Sequence, residues 1–381
     1  MSVRKRTWTT SKGEQRSAFI ADCVDSEGHR YIQTFEFERD AKAYESKVTI
    51  NVTRGVQVAP STSLTVREAA EVWIKRVQAR GRERSTVRQY RQHADLHING
   101  SRLGATKLAN LTTKIIEDFR DDLLAKPKMT RPTARKVMTS LKSLLKVARM
   151  SHLMADVEGI AKPKRQTKLQ VGKDIPTNNE IRRLIAGAGE GRERALLLTL
   201  ALTGLRASET RGLTWGDVDL KSSELHVRQR ADRWNNIGQL KSDTSARTIP
   251  FSTELLLALK TWKLACPKGE LDLVFPTSAG AVEHHANMLR GLGPLMHRAG
   301  VVDKSGAPKY ALHAFRHWFA SWCCNSKEKG GRQLPVNEVQ KLLGHASPVL
   351  TLSVYSHLFP ETGDRKELSE ATRALLTRDA T

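Results

Sequence analysis

Cationic and titratable side chains recur in short clusters along the second half of the 381-residue chain. Arg206 directly follows an apolar stretch, in Thr-Gly-Leu-Arg-Ala-Ser-Glu, and Lys241 lies in a segment with the alternation typical of strands. His313 and Arg316 are three residues apart, so they share one face of a predicted helix. Side chains of these types can hold and polarise a phosphate group. We therefore consider phosphate chemistry built on cations first.

Several other chemistries lack the residues they need. The chain has no Gly-Lys-Ser/Thr phosphate loop and no His-Glu-x-x-His motif. The glycines of segment 187–191 lack the preceding strand of a dinucleotide site, and we predict a loop between two helices there. No compact acidic cluster suggests a two-metal centre. These absences favour phosphate chemistry without a metal ion or other cofactor.

Read in order, the clusters resemble the tyrosine recombinases, the phage-integrase family of site-specific DNA recombinases. Five motifs carry the resemblance over residues 174–360, and their fixed order makes them far more specific together than singly. They are Thr-Gly-Leu-Arg206-x-Ser-Glu209, Lys241 with the trailing Ser245-x-Arg247-x-Ile-Pro250, His313-x-x-Arg316-His-x-x-Ala-Ser, Leu-Leu-Gly-His345 and Tyr355-Ser-His-Leu.

The resemblance implies a nucleophile and its proton-transfer partners. Tyr355 would attack a DNA phosphodiester and form a 3′-phosphotyrosine, which a second strand could reverse without ATP. A tyrosine hydroxyl has a pKa of about 10 and is a weak nucleophile at pH 7, so a neighbour must take its proton. The resemblance implies His313 as that acceptor and Lys241 as the acid for the leaving 5′-hydroxyl. His317 and His357 flank these residues and receive no role.

The remaining motif residues would bind the phosphate. Negative charge develops on the non-bridging oxygens during the attack, and always-charged, fork-shaped guanidiniums suit that need. The resemblance implies that Arg206 and Arg316 clamp the phosphate, that His345 adds a further donor, and that Glu209 orients the site without donating a proton.

The charge balance points to a polyanionic partner. Lys and Arg number 63 against 40 Asp and Glu, giving a net charge of +23. Residues 61–170 are the most basic part, with 24 basic and 10 acidic residues. Two predicted helices there carry basic side chains on one face, which indicates contacts with the phosphates of double-stranded DNA. The expected DNA-binding residues are Arg84, Arg88, Arg91, Arg135, Lys142, Lys146 and Arg149.

The sequence predicts a multi-domain, mainly α protein with small β-sheets. Within residues 1–55, apolar and polar residues alternate as in the strands of a small sheet, and a predicted helix follows. The resemblance implies that this segment is an arm-type DNA-binding domain. Residues 63–162 are predicted to be helical and begin with a capping box at Thr65, and the resemblance implies a SAM-like core-binding domain. A mixed α+β catalytic domain is expected over residues 174–381, and basic or Pro-containing linkers separate the three.

The sequence also bears on assembly and location. Residues 364–376 are predicted to form an amphipathic helix. The resemblance implies that this helix docks on a neighbouring protomer in a homo-tetramer on synapsed DNA. The resemblance is compatible with two further partners, a DNA-bending protein and a directionality factor. No apolar run is long enough for a membrane helix, no signal peptide is evident, and the four cysteines form no Cys-x-x-Cys pair. A cytoplasmic, nucleoid-associated protein is expected.

Two alternatives stay open at this point. The same residues could support a topoisomerase-like nicking and closing activity without synapsis. The chain could also be a DNA-binding protein on a recombinase scaffold that does not react. Formation of a covalent DNA adduct separates the enzymes from the binding protein.

Overall fold

The computed structural model describes residues 2–11, 13–24, 30–53, 63–155, 157–161, 169–240, 245–356 and 373. By their internal contacts, residues 1–165 and 166–381 are two compact units. The described chain is mainly helical with small sheets, which confirms the predicted fold class. Lys241, His357 and nearly all of the predicted helix 364–376 lie outside the described residues.

The N-terminal segment is a three-stranded antiparallel sheet covered by one helix. The strands are β1 (Ser2–Thr9), β2 (Gln15–Val24) and β3 (Arg30–Phe35), in that order across the sheet, and the helix is α1 (Glu38–Thr53). Ala21, Cys23 and Val48 form the small core. The sequence predicted the second and third strands and the helix but not β1, whose side chains are nearly all exposed and show no buried face.

A second core belongs to a bundle of helices in the same unit. The helices are α2 (Val66–Ala79), α3 (Arg84–His93), α4 (Arg102–Ala105), α5 (Thr113–Ala125) and α6 (Arg131–Val147). The predicted capping box is present at the start of α2. The Thr65 hydroxyl accepts a hydrogen bond from the backbone N–H of Glu68, and the Glu68 carboxylate accepts one from the backbone N–H of Thr65. Trp73, Leu141 and Leu144 are fully buried between the helices. Burying this apolar face holds the basic residues of α3 and α6 on a packed scaffold.

The second unit begins with helices α7 (Asn178–Gly187), α8 (Arg192–Thr203) and α9 (Ala207–Gly212). A three-stranded antiparallel sheet of β4 (Val218–Asp219), β5 (Glu224–Val227) and β8 (Arg247–Pro250) follows, with a separate hairpin of β6 (Gln229–Ala231) and β7 (Ile237–Gln239). The remaining helices are α10 (Thr253–Ala265), α11 (His285–Arg298), α12 (Leu312–Cys324), α13 (Val336–Leu343) and α14 (Pro348–Tyr355). Segment 188–191 is the predicted loop between two helices.

Helix α8 lies at the centre of this unit. Its residues 195–201 are all buried, because apolar side chains surround the whole helix rather than one face. It packs against α10 and α12, the helix that carries His313 and Arg316. A fully buried helix is a rigid support, so its C-terminal end is a suitable place to anchor reactive groups. Among the described residues, no helix is long and apolar enough to cross a membrane.

Candidate active site

The turn after α8 places Arg206. Helix α8 ends at Thr203 and is capped by Gly204, which adopts the left-handed conformation with φ of +62°. A Cβ atom there would lie 2.3 Å from the Phe319 ring of α12, so only glycine fits. Two residues later Arg206 caps the start of α9, and its backbone N–H donates to the Glu209 carboxylate at 2.8 Å. The Thr-Gly-Leu-Arg motif therefore ends one helix and begins the next beside α12.

The end of α13 gathers three arginines from distant parts of the chain. The last carbonyls of a helix have no partner within the helix. Arg247 Nε donates to the Leu342 carbonyl at 2.7 Å, and Arg316 Nη2 donates to the Leu343 carbonyl at 2.7 Å. Arg206 Nη2 donates to the Gly344 carbonyl at 2.9 Å. Cations also suit the negative end of the helix dipole, so this helix end brings Arg206 and Arg316 together.

Glu209 is the anion that balances this cluster. Its side chain is 2% exposed, and its two oxygens accept from Arg206 Nη1 at 2.5 Å and from Arg247 Nη2 at 2.9 Å. Burial by itself would raise the pKa of Glu209, but Arg247 and Arg206 lower it below its ordinary value. The carboxylate is therefore charged at pH 7 and fixes both guanidiniums. The resemblance implies an orienting role for Glu209, and its contact with Arg206 is compatible with that role, which stays a prediction.

Arg316 is buried yet retains hydrogen-bonding capacity. The residue is 3% exposed, and Nη1 and Nη2 each donate once, to the Gly204 and Leu343 carbonyls. A guanidinium has five N–H groups, so three remain for a ligand. Burial and the charge of Arg206 lower the pKa of Arg316 to about 9, which leaves the group positive at pH 7. Together with Arg206 it forms a positive site bounded by α8, α9 and α12.

Two of the predicted histidines adjoin these arginines. Burial and the charges of Arg316 and Arg206 lower the pKa of His313, and the same causes lower that of His345 to about 4. Both imidazoles are therefore neutral at pH 7 and can each donate one N–H. His345 follows the α13 end, and its Nδ1 lies 2.9 Å from the Thr351 hydroxyl. His313 is exposed on α12, as expected of a group that meets a ligand from solution.

Tyr355 ends α14 and lies against a histidine that the sequence analysis passed over. The residue is 3% exposed, and its hydroxyl oxygen is 2.5 Å from His317 Nδ1. His313 lies edge-on to His317, with 4.5 Å between ring centroids. This corrects the expectation that His313 is the group beside the tyrosine hydroxyl and that His317 is an ordinary residue. Residues 313 and 317 are one turn apart on α12, and the inner of the two meets the hydroxyl.

The structure also shows what surrounds the tyrosine. Burial raises the pKa of Tyr355 above its ordinary value, while Arg316 acts in the opposite direction. The ring packs in an apolar cluster with Phe319, Cys323 and Leu343, so its position depends on α12 and α13. Tyr355 and the arginines are therefore held by the same two helices. Lys241 lies outside the described residues, between the end of β7 and the start of β8, and stays a prediction.

The basic residues of the helical bundle fall into two groups. Arg84 and Arg88 on α3, and Lys142 and Lys146 on α6, are exposed as predicted, and Arg135 is half-buried. Arg91 instead forms an ion pair with Glu71 of α2 at 2.6 Å. The expectation that Arg149 continues the α6 stripe is wrong, because the helix ends at Val147 and Arg149 has a φ of +59°. A residue that adopts the left-handed backbone conformation after the helix end does not lie on the helix face that carries the basic stripe.

A metal site does not arise among these groups. In the part of the chain that the structure describes, no group of three or more His, Cys, Asp or Glu side chains is arranged to hold a metal ion. The four cysteines are free thiols, and Cys23, Cys323 and Cys324 are buried. Burial raises the pKa of the Cys323 and Cys324 thiols to about 12, so both are protonated and pack as small apolar groups.

Comparison with known proteins places the site within a known family. The family model described as "Phage integrase family" matches residues 176–362, the range that holds Arg206, Arg316, His345 and Tyr355. A tyrosine recombinase XerC-like protein of Caldanaerobacter subterraneus subsp. tengcongensis is 24% identical over 85% of this chain and 87% of its own length. Tyrosine recombinase XerC of Xylella fastidiosa is 32% identical over 44% of this chain and 49% of its own length.

Solved structures show a similar fold. The Tn1549 transposon integrase in complex with a circular intermediate DNA has a TM-score of 0.61 at 19% identity, over 82% of this chain and 100% of that chain. The lambda integrase tetramer bound to a Holliday junction has a TM-score of 0.53 at 16% identity, over 94% of this chain and 96% of that chain. At these identities the likeness concerns the fold alone.

Motifs, site geometry and relatives define one class of protein, the site-specific DNA recombinases that use a tyrosine. The chain belongs to the tyrosine recombinase family, and residues 176–362 are the part that matches the phage integrase model. This confirms the resemblance drawn from the five motifs.

Proposed function

We propose that this protein is an integrase that cleaves and rejoins duplex DNA at specific sites through a covalent 3′-phosphotyrosine at Tyr355, and so integrates and excises a mobile element or prophage. One observation carries the proposal. Arg206 and Arg316 come from distant segments and are anchored side by side on the end of α13, the helix that leads directly to α14 and Tyr355.

The geometry supports a division of labour during strand cleavage. A scissile phosphate between Arg206 and Arg316 would accept from their remaining N–H groups, with His345 as a further donor. The Tyr355 oxygen forms a bond to phosphorus, the bond to the 5′-oxygen breaks, and Lys241 supplies the proton that the leaving oxygen needs. The free energy of the phosphodiester is kept in the phosphotyrosine, so the 5′-hydroxyl of another strand can reverse the attack.

We assign the three segments to three tasks. Residues 1–55 bind arm-type sites, residues 63–162 bind the core site, and residues 174–381 are the catalytic domain. Separate apolar cores in the sheet-and-helix segment and in the helical bundle support the division of the first unit. Because lambda integrase forms a tetramer on a Holliday junction, we propose that this chain also acts as a homo-tetramer on DNA, with residues 364–376 as a contact between protomers.

Covalent capture tests the proposed reaction. A set of nicked duplexes tiled across the DNA on both sides of the gene is incubated with the full chain, and the products are separated under denaturing conditions. We expect one duplex, the reactive duplex, to yield a protease-sensitive adduct whose nucleotide maps to the peptide containing Tyr355. Binding without any adduct would favour the DNA-binding alternative. Relaxation of a supercoiled plasmid with a single site, without products that join two sites, would favour the topoisomerase-like alternative.

Salt dependence tests the DNA-binding faces of α3 and α6. We expect replacement of Arg84, Arg88, Lys142 and Lys146 by glutamine to weaken binding to the reactive duplex and to flatten the plot of log affinity against log salt. Each lost phosphate contact removes a slope of about 0.9, because fewer counterions are released on binding. The measurement is a titration of fluorescent duplex at four salt concentrations.

A second quadruple variant is the matched control. Lys75, Arg76, Lys126 and Lys128 are exposed basic residues of the same bundle that lie outside the two stripes. Their replacement by glutamine removes the same net charge. An equal loss of slope in both variants would place the phosphate contacts elsewhere than on the α3 and α6 stripes.

A further inference from the structure

The contact between Tyr355 and His317 has no part in the roles assigned so far. The Tyr355 hydroxyl is withdrawn from solvent, and its oxygen lies 2.5 Å from His317 Nδ1. The two ring centroids are 5.9 Å apart, which is the separation of side chains that meet at their polar ends. A buried hydroxyl that must lose a proton can give it only to a group within hydrogen-bond reach.

The surroundings of His317 keep its imidazole uncharged before DNA binds. Burial lowers the pKa of His317 to about 4, with further contributions from His313 and Arg316, and Asp174 acts in the opposite direction. A neutral imidazole whose Nδ1 is unprotonated accepts the hydroxyl proton in a hydrogen bond. Cys324, which also influences Tyr355, is a protonated thiol and does not compete for the proton.

His313 occupies a different position on the same helix. Its side chain is exposed, whereas His317 is half-buried between His313 and Tyr355. His313 precedes Arg316 by three residues on α12, so the two share one face of the helix, and the charges of Arg316 and Arg206 lower the pKa of His313. One turn of α12 therefore carries two histidines with different neighbours, the outer beside the arginines and the inner at the nucleophile.

We propose that His317 is the group that accepts the proton of Tyr355 during strand cleavage, and that His313 serves the phosphate instead. This inference rests on the proposed function of the site. As the tyrosine oxygen bonds to phosphorus, its O–H bond breaks and the proton passes to Nδ1 of His317. The bond to the 5′-oxygen breaks in the same step, and that oxygen receives a proton from the acid of the site. On rejoining, His317 returns its proton to the tyrosine oxygen.

Binding of DNA strengthens His317 as a base. Arg316 disfavours a positive imidazole in the free protein. A phosphate held by Arg206 and Arg316 places negative charge beside them, which offsets their effect on a neighbouring cation. The bonding of phosphorus to the tyrosine oxygen makes its proton strongly acidic at the same moment. Proton transfer is therefore coupled to attack, and a free tyrosinate is not required.

His317→Asn separates a proton acceptor from a structural partner. The asparagine oxygen can accept the hydroxyl hydrogen bond but cannot take up its proton at neutral pH. We expect adduct formation with the reactive duplex in single-turnover assays to slow about 100-fold at pH 7, the lower range for loss of a general base. The rate should then rise with pH, because solvent must remove the proton. A purely structural His317 predicts a rate close to that of the parent protein.

Two comparisons make this result specific. His297→Asn alters an exposed histidine on α11 and should leave the rate and its pH profile unchanged. A more acidic fluorinated tyrosine at position 355 should recover most of the rate in the His317→Asn protein, because a weaker base then suffices. A fluorinated tyrosine that fails to recover the rate, in a variant that melts like the parent protein, would overturn the assignment of His317.

Failure of the inference and failure of the proposed function give different results. If the parent protein forms no adduct on any tiled duplex, the proposed function is wrong. If it forms the adduct and His317→Asn forms it equally fast with the same pH profile, the proposed function stands and His317 is not the proton acceptor. A slow His313→Asn protein whose rate rises steeply with pH, beside a normal His317→Asn protein, would return the role to His313.

Discussion

Tyr355→Phe is expected to abolish formation of the covalent DNA adduct, lowering its rate by at least about 10,000-fold. The substitution removes the only atom that can bond to phosphorus while leaving the ring that packs among Phe319, Cys323 and Leu343. Affinity for the reactive duplex should stay within about threefold, since the basic faces and both arginines are retained. The half-buried His317 loses its partner, so the free energy of unfolding should fall by about 1–3 kcal/mol.

Tyr310→Phe is the matched control for this experiment. Tyr310 is also 3% exposed and belongs to the same unit, and its hydroxyl donates to the Glu180 carboxylate at 2.9 Å. Its loss should lower stability by a similar amount and leave the adduct rate near that of the parent protein. Denaturing gels of single-turnover reactions measure the rates, and urea unfolding measures stability. Adduct formation by Tyr355→Phe would show that another residue is the nucleophile.

Glu209→Ala is expected to have the largest effect on stability. The carboxylate lies between Arg206 and the 5% exposed Arg247, and its removal leaves a buried guanidinium without its counter-ion. Removing one partner of a buried ion pair lowers the free energy of unfolding by about 3–5 kcal/mol. Arg206 also loses an anchor, so the adduct rate should fall about 100-fold or more, as for loss of one transition-state donor. Urea unfolding of the full chain and single-turnover gels check the two effects.

Acid unfolding gives an independent test of the same carboxylate. The folded-state pKa of Glu209 lies below its unfolded value of about 4.5, so its stabilising contribution is complete above that pH. The contribution disappears as the pH falls through the lowered pKa. Glu209→Gln should therefore be less stable than the parent protein at pH 7, and the difference should shrink as the pH falls below about 4.5. An unchanged difference at low pH would contradict the charged state assigned to Glu209.

Glu193→Ala is the control for both measurements. Glu193 pairs with Arg298 at 2.6 Å in the same unit, but the two side chains are 25% and 51% exposed. Solvent screens such a pair, which contributes only about 0–1 kcal/mol. A loss of stability in Glu193→Ala as large as in Glu209→Ala would mean that burial is not what distinguishes the two carboxylates.

The sequence motifs predicted those parts of the site whose backbone conformation is set by the residues of the motif itself. Thr-Gly-Leu-Arg requires a glycine that ends one helix and an arginine that begins another, and Leu-Leu-Gly-His ends a helix at Gly344. The sequence could not predict that Arg247 would share Glu209 with Arg206, because Glu209 lies on α9 and Arg247 on β8, and the two meet only in the folded unit. His317 was missed for a similar reason, since the spacing along α12 does not reveal which histidine turns toward α14.

The DNA-binding residues show a different limit of sequence analysis. Helical spacing placed Arg149 on the stripe of α6, but spacing does not indicate the residue at which a helix ends. The charge count assigned no acidic partner to Arg91, although Glu71, twenty residues earlier in the sequence, forms an ion pair with it in the folded bundle. Strand β1 was missed because burial patterns reveal a strand only when one of its faces is covered.

The end of helix α13 has a mechanical consequence. Three guanidiniums are fastened to three successive carbonyls there, and the same stretch of backbone continues through His345 to the nucleophile. A displacement of this helix by a few ångströms would release the cations and carry the tyrosine away in a single movement. The positions of the cations and of the nucleophile therefore depend on one helix end.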